Sequence, residues 1–235
     1  MEIISALDAS TLGENDQLVA ALAGRCRWYK VGMRQFYRDG AQGLSAVQAA
    51  GAELFLDLKL HDIPHTVATA VESVAWAAPS LLTVHALGGP RMVEAAVRAA
   101  EASGNGTRIL AVTVLTSTSQ DEMAALGWPG SVADYVHHLA GLARDAGAHG
   151  VVCAAGEAGA MRRILGDERL IVTPGIRLPE DAAGDQQRIA TPARAMRAGA
   201  THIVVGRPLL NAPDPGAKWD RLINDCHSAD VESEE

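Results

Sequence analysis

Residues 54–60 read LFLDLKL, four leucines on one alternation and two charges on the other. In a β-strand successive side chains point to opposite faces, so Leu54, Leu56, Leu58 and Leu60 share one face and Asp57 and Lys59 share the other. If the strand belongs to a closed barrel, the leucine row lies under the surrounding helices and the two charges point inward. The following stretch, VATAVESVAWAA at 67–78, has small and apolar residues at helical spacing, so the strand leads into a helix.

The same alternation of strand and helix runs outward in both directions. Seven further strand candidates are IISALD, WYKVG, LLTVHAL, RILAVTVLT, GVVCA, LIVTPGI and HIVVGRP. Helical patterns such as RMVEAAVRAAEA and VADYVHHLAGLARDAG lie between them. Alternating units imply a parallel sheet, and eight of them favour closure over an open doubly wound sheet. A Rossmann-like sheet is the competing arrangement, but the first strand-to-helix turn lacks the GxGxxG fingerprint. The expectation is α/β: one (β/α)8 barrel of the TIM type over residues 1–226, with HSADVESEE at 227–235 as an acidic, disordered tail.

Composition agrees with a single folded domain. The 235 residues are 48% hydrophobic and 20% charged. No apolar run approaches the roughly 20 residues that span a bilayer. MEIISALDAS has neither the basic start nor the long apolar stretch of a signal peptide, which places the chain in the cytoplasm with no membrane partner. The net charge of −8 argues against a nucleic-acid partner. Cys26, Cys153 and Cys226 are too few and too far apart for a disulfide framework or a CxxC metal site, so they read as core thiols.

Chemistry concentrates in DLKLHD, residues 57–62. Burying an acid and a base in one barrel end is costly unless they are paired. A structural ion pair is one reading of Asp57 and Lys59; their place at the C-terminal end of a barrel strand, where this fold builds its active sites, supports a catalytic one. Asp62, just ahead of Ile63 and Pro64, reads by itself as a cap for the next helix. Gly206 and Arg207 follow the last strand, where such barrels hold phosphate on loop amides and a guanidinium can grip it bidentately. Arg177 and Gln186 lie in RLPEDAAGDQQRIA, a polar stretch that reads as a loop able to close over substrate. His85 in TVHALGG reads as a structural histidine bonded to backbone.

DLKLHDI has company in a fixed order: ALD at 6–8, YKVG at 29–32, VLTS at 114–117, TPGIR at 173–177, GDQQR at 184–188 and VVGRP at 204–208. Over nearly its whole length the chain resembles the orotidine 5′-monophosphate decarboxylase family of the bacterial type. The resemblance implies a charged array of Lys30, Asp57, Lys59 and the partner subunit's Asp62, and therefore a homodimer with shared sites. It implies ribose contacts from Asp8, Lys30 and the partner subunit's Thr66, and a contact near the pyrimidine from Thr116. It also implies that Gln186 links base and phosphate, that Arg177 lies on the phosphate side, and that no cofactor or metal is used.

Elementary chemistry agrees with that array. Loss of CO2 from C6 of the pyrimidine leaves a carbanion in the ring plane that the π system cannot readily delocalise, so positive charge must stand beside it. Lys59 is the candidate, and it can then protonate C6 while Asp57 and Asp62 keep it charged. Two other readings stay open: a magnesium-dependent sugar-phosphate enzyme of the same superfamily, and a nucleotide-phosphate-binding barrel without turnover. Lys30 weighs against the first, since an ammonium has no acceptor and repels a cation. The intact Asp57, Lys59 and Asp62 set weighs against the second.

Overall fold

A computed structural model describes residues 1–181 and 189–231, with side chains through 228. In chain order the elements are β1 (Glu2–Ala6), α1 (Leu12–Ala21), β2 (Trp28–Gly32), α2 (Met33–Asp39), α3 (Ser45–Ala49), β3 (Glu53–Leu60), α4 (Pro64–Val74), β4 (Leu81–His85), α5 (Pro90–Ser103), β5 (Arg108–Val112), α6 (Gln120–Ala125), α7 (Val132–Asp145), β6 (Gly150–Val152), α8 (Ala158–Leu165), β7 (Leu170–Thr173), α9 (Pro192–Arg197), β8 (His202–Val205), α10 (Arg207–Leu210) and α11 (Pro215–Val231). The strands pair in sequence order, all parallel, and β8 closes on β1. All eight expected strands are present, and the chain is a (β/α)8 barrel.

Strand parity divides the core in two. Ile4, Trp28, Phe55, Leu81, Leu110 and Val172 fill the barrel interior, while Leu54, Leu56 and Leu58 belong to the larger apolar layer between strands and helices. The leucine row of β3 therefore lies under the helices, as its alternation dictates. Gly150 shows how tightly the barrel closes: a Cβ there would stand 2.3 Å from the Leu170 carbonyl oxygen. Only glycine lets β6 and β7 approach so closely.

Helix starts follow local chemistry. Thr11, Ser119 and Ser131 form capping boxes with Glu14, Glu122 and Asp134. Proline opens α4, α5 and α9 and stands second in α10, where its missing N–H costs nothing. Two expectations are corrected. The N-cap of α4 is Ile63, without a side-chain cap, so Asp62 does not cap that helix. Helix α11 continues through Val231, past the boundary expected at residue 226, because nothing between His227 and Val231 breaks a helix. Residues 232–235 lie outside the described residues.

The site is prepared by an irregularity in β3. Its pairing with β4 runs Phe55↔Leu81 and Leu56↔Leu82, then slips to Leu60↔Val84, four positions on β3 against two on β4. Within that bulge Lys59 has a φ of 50°, in the left-handed region that a lysine avoids. Strain of this kind, of order 1–3 kcal/mol, persists only where the surroundings hold it, and here the Lys59 amide donates to Thr83 Oγ1 at 2.9 Å.

Candidate active site

The C-terminal ends of the strands enclose a cavity of about 590 Å³. One side carries charge: Asp8 follows β1, Lys30 stands on β2, and Asp57 and Lys59 on β3. Apolar Phe55, Val152, Val172 and Val204 form another part of the wall. Thr116 and Ser117, past β5, and Arg177, Gly206 and Arg207, past β7 and β8, also line it.

Asp57 is the centre of the charged side. Lys59 Nζ donates to its Oδ1 at 2.8 Å, and Lys30 Nζ lies 3.4 Å from its Oδ2. The Thr83 hydroxyl donates to Oδ1 at 3.0 Å. Burial alone would raise the carboxyl's pKa, but Lys30, Lys59 and the hydrogen bonds outweigh it and hold Asp57 below the usual carboxylate range. Burial likewise opposes charge on Lys30, whereas Asp57 and Asp8 overcome it and hold the ammonium above its ordinary value. Asp8 Oδ1 is 3.5 Å from Lys30 Nζ, so the order along the wall is Asp8, Lys30, Asp57, Lys59.

Two residues on which the sequence reading placed no role complete this wall. Thr83 faces inward from β4, on the same alternation as Leu81, and joins the Asp57 carboxylate to the Lys59 amide. A hydroxyl on the inward alternation of the neighbouring strand was the available signal. Gly32 closes β2, and a Cβ there would lie 3.2 Å from Lys30 Nζ and 3.4 Å from Asp8 Oδ1. A larger residue would have to displace the ammonium.

Of the expected site residues, the fold brings Asp8, Lys30, Asp57, Lys59, Thr116, Arg177, Gly206 and Arg207 to one cavity. Asp62 and Thr66 do not line it. Asp62 is exposed and its Oδ1 accepts from the Ile63 amide at 2.6 Å; Thr66 is exposed on α4. Gln186 lies outside the described residues. The backbone bond expected for His85 is not made at Nδ1, which is buried and without a hydrogen bond among the described residues. The ring packs on His61 with centroids 5.4 Å apart, and burial, His61 and Lys59 push its pKa down to about 4.

Chemically, this arrangement lines one cavity with two guanidinium groups, two ammonium groups, a fixed carboxylate and an apolar wall.

The chain matches the model of the family described as Orotidine 5'-phosphate decarboxylase / HUMPS over residues 1–222. It is 45% identical over 228 residues to Orotidine 5'-phosphate decarboxylase of Methylobacterium sp. (strain 4-46), covering 97% of this chain and 96% of that one. Against the protein of the same name from Anaeromyxobacter sp. (strain K) it is 48% identical over 215 residues, covering 92% and 93%. The crystal structure of Orotidine 5'-phosphate decarboxylase from Lactobacillus acidophilus superposes with a TM-score of 0.83 at 34% identity, covering 96% of this chain and 98% of that chain.

Proposed function

This chain belongs to the Orotidine 5'-phosphate decarboxylase / HUMPS family and converts orotidine 5'-monophosphate to uridine 5'-monophosphate and CO2 in pyrimidine biosynthesis; we propose that Lys59 carries the chemistry, without metal or cofactor. The observation that carries this reading is the Asp57 carboxylate held between the Lys59 and Lys30 ammonium groups in the wall of the cavity.

The pyrimidine lies along Phe55, Val152, Val172 and Val204, with Thr116 at its edge. Asp8 and Lys30 meet the ribose hydroxyls, an acceptor and a donor for groups that are both. Arg207, Arg177 and the Gly206 amide take the phosphate. As the C6–CO2 bond breaks, its electron pair stays on C6, where the Lys59 ammonium stabilises it. Lys59 then gives its proton to C6, and solvent reprotonates the amine. Asp57, 2.8 Å from the Lys59 ammonium, holds it in place until transfer. Phosphate binding far from C6 stabilises the reactive arrangement and so raises the rate of the step.

Asp62 and Thr66 enter from the partner subunit of a homodimer. This reading is supported by their absence from the wall of their own chain's cavity and by the neighbouring Ile63, an apolar side chain left 65% exposed. A two-fold axis brings the same surface of each chain to the other. Among the described residues no helix is long and apolar enough to cross a membrane. All three cysteines are buried thiols, which suits the reducing cytoplasm.

The magnesium-dependent branch fits poorly, because the Lys30 ammonium occupies the place that an acidic ligand would need. A binder without turnover has no use for a strained lysine paired to a buried carboxylate. Following loss of the orotate absorbance with purified protein tests the assignment. Equal rates with and without EDTA are expected; activity lost with EDTA and restored by magnesium would overturn it.

A further inference from the structure

The polypeptide leaves β7 and passes through Arg177, whose amide donates to the Ala190 carbonyl at 3.0 Å. Ile176 and Ala190 also form a parallel bridge. The two stems of this connection thus run side by side, and helix α11 grips each of them. Lys218, with a side chain only 9% exposed, donates to Glu180 Oε1 at 2.8 Å and to Asp181 Oδ1 at 2.5 Å. The other oxygen of Asp181 accepts from the Leu178 amide at 2.9 Å, which folds the turn just after Arg177. Asp225 Oδ2 accepts from the Ala193 amide at 2.8 Å, in the first turn of α9 where the second stem ends.

Lys218 and Asp225 are seven residues apart, about two helical turns, and so share one face of α11. An ammonium with so little solvent is costly unless it is fully paired, and here two carboxylates from one stem pair it. Its neighbourhood is also specific. Lys218, Glu180 and Asp181 line a cavity of about 620 Å³ whose wall includes Arg177 and Arg207, the same two residues that line the substrate cavity.

We propose that Lys218 is a positioning residue for the phosphate-binding part of the site: by holding Glu180 and Asp181 it fixes the turn that follows Arg177, and so keeps Arg177 in the wall it shares with Arg207. The inference rests on the assignment of Arg177 and Arg207 to the substrate phosphate. Lys218 touches no substrate and acts through Arg177.

The test is steady-state kinetics of Lys218→Met and Lys218→Arg in the full-length protein, with the 5′-phosphorylated nucleotide and with the phosphate-free nucleoside as substrates. The methionine variant should raise KM for the nucleotide roughly tenfold or more while kcat/KM for the nucleoside stays within about twofold. Arginine, which can bridge both carboxylates, should recover most of the loss. In an Arg177→Ala background the methionine substitution should add little, because its effect runs through Arg177. Where Lys218→Met folds poorly, the Glu180→Gln, Asp181→Asn double variant removes the same pairing from the other side and should give the same pattern. An unchanged nucleotide KM, equal losses on both substrates, or full additivity with Arg177→Ala would overturn the proposal. Wild-type turnover, measured alongside, reports separately on the functional assignment.

Discussion

The Thr83 hydroxyl donates to Asp57 Oδ1 at 3.0 Å while accepting from the amide of Lys59 at 2.9 Å, so one side chain on β4 fixes both the carboxylate and the backbone of the lysine beside it. Thr83→Val keeps the shape and removes both bonds. Because the bond to Asp57 is charge-assisted, a loss of about 1.5–3 kcal/mol is expected, read as a roughly tenfold to hundredfold fall in kcat. Steady-state kinetics would check this, and a variant with wild-type kcat would show that the bulge in β3 holds Lys59 without β4.

Asp57 also links the site to stability. Its depressed pKa means that the folded protein holds the charged form more strongly than the unfolded chain does. That contribution is fully present above the ordinary carboxylate value of about 4 and is lost as pH falls through the lower folded value. Asp57→Asn, which leaves two ammonium groups without their shared counter-charge, should cost about 3–5 kcal/mol near pH 7. The difference in Tm from wild type should shrink as pH falls below about 4. A difference that is constant from pH 7 to pH 3 would contradict the sign.

How much of this was legible in the sequence differs from residue to residue. The alternation in LFLDLKL assigned the two faces of β3, because burial on one side forces a period of two whatever the rest of the chain does. Motif order brought eight of the expected site residues to the cavity. Thr83 was legible only as a hydroxyl on the inward alternation of β4; its role depends on how β4 is registered against a bulge, and register slips leave no local mark. Gly32 matters through a close approach of Lys30 and Asp8 from neighbouring strand ends. Asp62 looked like a helix cap because Asp before a proline commonly is one, yet the chain places Ile63 at that position. Lys218 meets carboxylates 37 and 38 residues away, and nothing near it in the chain announces that pairing.

Arg207 follows β8 and lines the same cavity as Lys59. Arg207→Ala should therefore weaken kcat/KM for the nucleotide by roughly a hundredfold or more and leave the phosphate-free nucleoside nearly unaffected, since only the nucleotide uses the guanidinium. Paired kinetics on the two substrates check it. Equal losses on both would remove Arg207 from the phosphate.

The shared-site dimer makes a prediction that a single-chain site does not. Lys59→Ala and Asp62→Ala proteins, each inactive, are dissociated together and allowed to reassociate. A mixed dimer carries both lesions at one site and neither at the other. Random pairing makes about half the dimers mixed, with one good site in two, so activity should return to roughly a quarter of wild type. Heterodimers that form without restoring activity would place both residues in one chain's site.

The central claim is that Lys59 supplies the proton while the phosphate-binding part of the site supplies much of the affinity. Lys59→Ala, assayed for turnover of orotidine 5'-monophosphate and, by calorimetry, for binding of uridine 5'-monophosphate, tests it most directly. The account predicts a loss of nearly all turnover with product binding largely kept. Turnover near that of the wild type would contradict it.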